Sequence, residues 1–215
     1  QYGQIIKACR SFASGRALDI MGWNKELLLP CIEGATDSEK LLLEEFFSRI
    51  ANEQVPPFIT HSLCCDKGMF LGTEAKARPI VISSFFSKLL WRITFQSQTI
   101  MDQFPSVDVT AIGAIIQWSL HNGRRVIKLD ATNAFQSISR RFIFEAISHI
   151  TDPLFRRKWN TSYGRRGSVQ VLDKDGAPFK FVDITTGVLA GCVSASKLFQ
   201  IAMRTCMIEG MLQVV

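Results

Sequence analysis

The chain has 215 residues, 47% of them hydrophobic, and a formal charge of +6 from 25 Lys and Arg against 19 Asp and Glu. That length and composition suit one substantial core, or two small subdomains sharing one, and exclude a disordered or fibrous chain. No apolar run approaches the roughly 18 residues that span a bilayer, and the opening QYGQIIKACR lacks a signal-peptide hydrophobic stretch, so no membrane partner is expected. A first residue that is Gln rather than Met is expected of a fragment or a processed product.

In chain order, TDSE at Thr36 offers an Asp or Ser cap with Glu39 placed for a capping box. Leu41, Leu42, Leu43, Phe46, Phe47 and Ile50 follow as the apolar face of a helix that ends before Pro56 and Pro57. The stretch HSLCCDKGMFLGTEAKARPIVIS, with Gly68 and Gly72, suits short strands in a hairpin-like region. Phe85, Leu89, Trp91, Ile93, Phe95 and Ile100 predict a long buried helix from Ser84 to Phe104, and a second helix covers Ala111 to Leu120, stopping at Asn122-Gly123. Arg125 to Asp130 reads as a strand that ends on a carboxylate. Ser139 caps a helix through Ile147 to Ile150, and Pro153 opens another at the first-turn position that suits proline. Ser168–Leu172 and Phe179–Ile184 alternate about Asp173-Lys174-Asp175-Gly176 as a hairpin. A glycine-containing turn after Gly187 then leads to a closing helix from about Ser194 to Met211. The order predicts an α+β fold.

The six cysteines have no C-x-x-C pairing and no histidines at zinc-ligand intervals. They read as buried thiols in a reducing intracellular compartment: nucleus, cytoplasm or mitochondrion. None of the three histidines suggests a nucleophile-base pair. Charge is uneven, with twelve basic and five acidic residues between His121 and Lys180, which favours a polyanionic partner.

Chemistry concentrates in VIKLDATNAFQSIS. A strand-terminal Asp130 can ligate a divalent ion while a neighbouring carbonyl supplies a second oxygen, a donor set suited to Mg²⁺. Standing alone, such an Asp is a turn or cap residue. However, KLDATNAF followed by SISRRFIFEAI resembles the first catalytic motif of reverse transcriptases of non-LTR retrotransposons. Upstream, GRALDIMGWNKELLLP, VPPF and KARPIVISSFFSKLLWRI are similar to the same family in the same order, and TTGVLAGCVSASKLFQIAM is similar to its second palm motif. Together the matches run from Gly15 to Met203.

The resemblance implies reverse-transcriptase-like fingers and palm: a small antiparallel sheet packed by helices, with fingers and an N-terminal helical region over 1–125 and a partial palm over 126–215. It implies Asp130 as a catalytic metal ligand, in a chemistry where two metal ions activate a primer hydroxyl and stabilise pyrophosphate. Phe135 would be the steric gate beneath the incoming sugar. Lys76 and Arg78 would face the triphosphate, Arg78 bidentately, and Gly187 and Gly191 would let the backbone approach the nascent base pair. An RNA-directed RNA polymerase would prefer a second Asp where this chain has Phe135.

Two departures from the family pattern bear on function. Where the second motif usually has Gln before the Gly and Ser-Pro before Leu-Phe, this chain has Ala190, then Ala195 and Ser196. The third motif, an aromatic-x-Asp-Asp turn, does not follow the closing helix before Val214-Val215, and Asp173, Asp175, Asp183 and Glu209 do not replace it. An incomplete palm without a thumb, inactive by itself, is therefore expected.

One functional expectation is a domesticated structural subunit of a ribonucleoprotein such as a mitochondrial ribosome. Its RNA phosphates would be met by Arg124, Arg125, Arg140, Arg141, Arg156, Arg157, Lys158, Arg165 and Arg166. The other is part of an active, Mg²⁺-dependent RNA-directed DNA polymerase on an RNA or RNA/DNA hybrid, completed by a missing palm half or a second polypeptide.

Overall fold

A computed structural model describes residues 2–71, 78–96, 100, 109–126, 133–150, 152–164, 167–172 and 177–212. Helices α1 (Tyr2–Arg10), α2 (Lys25–Glu33), α3 (Asp37–Ala51) and α4 (Pro57–Leu63) precede strands β1 (Asp66–Leu71) and β2 (Arg78–Ile82). Then come α5 (Phe85–Phe95), α6 (Val109–His121), α7 (Ala134–Ser137), α8 (Arg140–Ser148) and α9 (Pro153–Trp159), the last running into a π-turn at Asn160–Gly164. Strands β3 (Gly167–Leu172) and β4 (Pro178–Ile184) and helix α10 (Ala195–Leu212) complete an α+β fold.

The sheet runs β2-β1-β3-β4. Its two hairpin pairings are antiparallel, but β1 and β3 pair in parallel, with Asp66 opposite Val169 and Gly68 opposite Val171. The expected all-antiparallel sheet is thus corrected to a mixed one. Two hairpins distant in sequence join edge to edge, and alternation within each hairpin says nothing about that seam. The boundary expected near residue 125 is crossed by this sheet.

Two apolar cores flank α5. In the first, Ile5, Ala8 and Cys9 of α1 meet Leu28 and Ile32 of α2, Phe47 and Ile50 of α3, and Phe85, Leu89 and Leu90 of α5. The second gathers Trp91, Ile143, Ile147, Phe155, Trp159, Val188, Leu198 and Ile201. Helix α5 supplies side chains to both cores, with Lys88 and Arg92 one turn apart on its remaining side.

Four helices, α1, α2, α4 and the one-turn α7, lie where no individual element was delimited. α1 is short and weakly signalled, but the Tyr2 backbone N–H and hydroxyl bond Glu44 and the Ile32 carbonyl, tying it to α3 and α2. α2 is capped by the Asn24 side chain and tolerates Pro30 inside it. α4 starts on Pro57 and takes His61–Leu63 out of the stretch expected to be extended. In α3 the cap is Thr36 rather than Asp or Ser, since only Thr36 puts Glu39 at the third helical position, where the two close the reciprocal box. Leu41 and Leu42, 67% and 65% exposed, leave the expected apolar face, which narrows to Leu43, Phe46, Phe47 and Ile50.

The helix expected to Phe104 is described as α5 to Phe95, with residues 97–99 and 101–108 outside the described set. Asp152 caps α9 by accepting from the Phe155 N–H at 3.0 Å. All six cysteines are free, yet only Cys9 and Cys192 are buried, which corrects the expectation for the other four. No described helix is long and apolar enough to cross a membrane.

Candidate functional site

Two segments that carry the family resemblance meet a third, the loop from Gly187 to Ser194. The first is the turn into α7. Asn133 holds a left-handed conformation (φ +51°, ψ +40°), one that asparagine tolerates better than most residues, and its carbonyl accepts from the Gln136 and Ser137 N–H groups at 2.9 Å. The half-buried Phe135 packs edge-on against Phe199 of α10, with ring centroids 5.3 Å apart.

The loop is sewn to that turn. The Val188 N–H donates to the Phe135 carbonyl at 2.7 Å and the Gly187 N–H to the Ile138 carbonyl at 3.0 Å. Gly187 lies at φ +69°, and a Cβ there would come within 2.4 Å of the Gln136 carbonyl and 2.5 Å of that of Phe135. Arg140 closes the arrangement: its Nε donates to the Gly187 carbonyl at 2.9 Å while its guanidinium lies 5.3 Å from the Tyr163 ring centroid. Burial pulls the Arg140 pKa below its ordinary value.

On its other side the loop covers the edge of β2, where the Val81 N–H donates to the Ala190 carbonyl at 2.9 Å. Gly191, at φ +99°, would bring a Cβ to 2.4 Å from the Val81 carbonyl. The close approach that both glycines permit is therefore to the chain's own backbone. Ala190 contributes its carbonyl, Ala195 is buried in the second core and Ser196 faces solvent.

Beneath the loop, the Tyr163 hydroxyl and the Cys192 thiol each lie 3.1 Å from Ser194 Oγ. Burial pushes the Tyr163 phenol well above its ordinary pKa. Nearby, two buried carboxylates meet the N-terminus of α5, where unpaired N–H groups and the helix dipole favour negative charge. Asp66 Oδ1 accepts from the Ser84 N–H at 3.1 Å. Asp19 Oδ2 accepts from the Phe85 N–H at 2.6 Å, while its other oxygen takes the Met21 and Trp23 N–H groups. Burial raises the Asp66 pKa from 3.8 to about 6 against the opposing pull of the Ser84 N–H, Lys158 and Lys88. The sequence held no sign of these roles except that Asp19 lies inside the segment GRALDIMGW, where it bridges 66 residues to Phe85.

The basic residues divide by environment. Arg124, Arg125 and Arg156 are exposed, and Arg141 is exposed while bonding Glu145 at 2.9 Å across one helical turn. Arg157 is half-buried. Lys158 is only 4% exposed: its Nζ donates to Ser87 Oγ at 3.3 Å and lies 5.7 Å from the Trp91 ring centroid. Lys158 is thus corrected from a surface phosphate contact to an interior cation, while the half-buried Arg140 bonds the loop through its Nε. The run of positive charges at Arg156, Arg157 and Lys158 concealed the burial of Lys158, because α9 turns successive residues to different sides.

Asp130, Lys76, Arg165 and Arg166 lie outside the described residues, as does the side chain of Arg78, whose backbone opens β2 opposite Leu71. Among the described residues no three His, Cys, Asp or Glu side chains cluster as a metal site would require. No protein-family model and no curated protein matches the chain.

Proposed function

We propose that this chain is an RNA-binding scaffold with reverse-transcriptase-like fingers and palm, acting as a structural subunit of a ribonucleoprotein. The observation that carries the reading is the junction at the Gly187–Ser194 loop. Segments that resemble the family's first motif, second motif and Arg-Pro-Ile strand are far apart in sequence, yet they meet there through backbone hydrogen bonds that require Gly187 and Gly191. A loop of this architecture with Ala190 where the family pattern has Gln would offer fewer polar groups to hold a nucleotide. The exposed Arg124, Arg125, Arg141 and Arg156 suit phosphate contacts. Fluorescence anisotropy with labelled RNA should show binding that weakens steeply between about 50 and 200 mM salt. In native extract the protein should sediment with a large RNA-containing particle that ribonuclease disperses. Free sedimentation together with salt-insensitive binding would sink the proposal.

A second reading is favoured by Phe135, whose half-buried ring stands at the start of α7 five residues after Asp130. In it the chain is part of an RNA-directed DNA polymerase, and Asp130 would help to hold Mg²⁺, which would supply activation of the primer hydroxyl. Joined to a palm segment carrying an Asp-Asp turn, the chain would then extend a DNA primer on an RNA template. An Asp130→Asn variant should abolish that extension, and failure of the joined protein on every template excludes this reading.

A further inference from the structure

Helix α6 is exposed along nearly its whole length, and its C-terminal turn builds a feature that the junction does not use. The Arg124 guanidinium lies over the Trp118 indole, 4.6 Å from the ring centroid. One hydrogen-bonded turn holds both partners. The Trp118 carbonyl accepts the Asn122 N–H at 3.1 Å and the Asn122 side-chain amide at 2.7 Å, the Gly123 N–H donates to the Leu120 carbonyl at 3.1 Å, and the Arg124 N–H donates to the Ser119 carbonyl at 2.9 Å. Gly123 supplies the left-handed residue (φ +69°) that lets the chain fold back over the helix end. Even with the guanidinium against it, Trp118 remains 53% exposed.

From these features we propose that Trp118 and Arg124 form a stacking platform for an unpaired base of single-stranded nucleic acid. The proposal rests on the RNA-binding reading above and names the chemistry of one contact within it. An indole already paired with a cation offers a base a flat partner, and the cation lies where the adjoining phosphate would run. Charge favours the same ligand: residues 109–126 contain no Asp or Glu, while His121, Arg124 and Arg125 are exposed and Arg124 lies over the ring. Preorganisation by the turn lowers the ordering cost of binding.

Helical geometry places the ring on the less apolar side of α6. At about 100° per residue, Ala111, Ala114, Ile115 and His121 flank Trp118, whereas Ile112, Ile116 and Leu120 point to the opposite side. The exposed cations after the helix, with no carboxylate along it, make single-stranded nucleic acid the better match for the Trp118 face.

The test is anisotropy of the 215-residue chain with a fluorescein-labelled oligouridine of roughly 12 nucleotides, and with a duplex of the same length. Trp118→Ala should weaken oligouridine binding roughly tenfold, leave the salt slope unchanged and barely alter duplex binding, while Trp118→Phe keeps most of the affinity. Arg124→Ala should weaken both ligands and reduce the salt slope by about 0.7. Circular dichroism melting checks that each variant folds, as expected for exposed side chains. Equal oligouridine affinity of Trp118→Ala and the native chain overturns the platform. So does an unchanged affinity with an altered oligomeric state on sedimentation, which would make the indole a protein contact. If the native chain binds no oligouridine at about 50 mM salt, the platform and the RNA-binding reading both fall. Salt-sensitive binding that ignores Trp118 removes the platform alone.

Discussion

Gly191 and Val81 are in backbone contact so close that a methyl group on Gly191 would stand 2.4 Å from the Val81 carbonyl oxygen. One residue earlier, the Ala190 carbonyl accepts the Val81 N–H at 2.9 Å. A strand edge and a loop more than a hundred residues apart are thereby joined as if by one more short strand. The joint tolerates no side chain at Gly191.

Gly191→Ala should consequently destabilise the chain by on the order of 1–3 kcal/mol, from a left-handed backbone and a clash that only backbone movement relieves. Ser196→Ala, at an exposed position in the same segment, should stay within about 0.5 kcal/mol. Urea midpoints for the two variants check the contrast, and equal midpoints would show that the loop is not held against β2.

Arg140 joins the same loop to the α8 end of the first-motif turn. Loss of its bond to the Gly187 carbonyl in Arg140→Ala should cost about 1–3 kcal/mol and leave a buried acceptor unpaired. Limited proteolysis should then cut the Gly187–Ser194 loop faster than in the native protein. An unchanged cutting rate would mean that the guanidinium does not hold the loop.

Lys158 and Arg156 should respond in opposite ways. Lys158→Ala removes a buried side chain that donates to Ser87 and lies against Trp91, and should cost about 1–3 kcal/mol of stability. Its effect on the salt dependence of RNA binding should be negligible. Arg156→Ala should leave the melting temperature nearly unchanged and reduce the salt slope by about 0.7 if Arg156 meets a phosphate. The discriminating measurement is a paired melting and anisotropy series.

Asp66 makes stability depend on pH with a defined sign. Its folded pKa of about 6 lies above the ordinary 3.8, so between those values the folded chain keeps a proton that the unfolded chain has released. Its contribution is fully present below about pH 4 and is lost as pH rises through about 6, a change on the order of 3 kcal/mol. Asp66→Asn cannot ionise and should lack this component. Urea unfolding of both proteins at about pH 4 and pH 7 isolates it. A native-minus-variant difference that does not change with pH would place the carboxylate in a more polar setting.

Much of the fold was legible in the sequence because it depends on short-range chemistry. Glu39 was placed for a capping box, Ser139 caps the helix that follows it, Pro153 opens the next, and the alternation on either side of residues 173–176 predicts a hairpin. Of the candidate site, the sequence singled out Phe135, Gly187 and Gly191, which the structure places on or beside the Gly187–Ser194 loop. What the sequence did not disclose is what each touches there, because the glycine contacts are made with the carbonyls of Phe135, Gln136 and Val81, far away in the chain.

The sequence by itself determined the α+β class, most helix and strand positions and the excess of positive charge, since helical periodicity, strand alternation, capping and composition are properties of neighbouring residues. Tertiary structure alone decided the parallel β1–β3 seam, the burial of Lys158, the caps that Asp19 and Asp66 place on α5 and the clamping of the Gly187–Ser194 loop. Each joins residues many positions apart, and burial sets its energy by removing water from charges and backbone groups that sequence spacing leaves fully solvated.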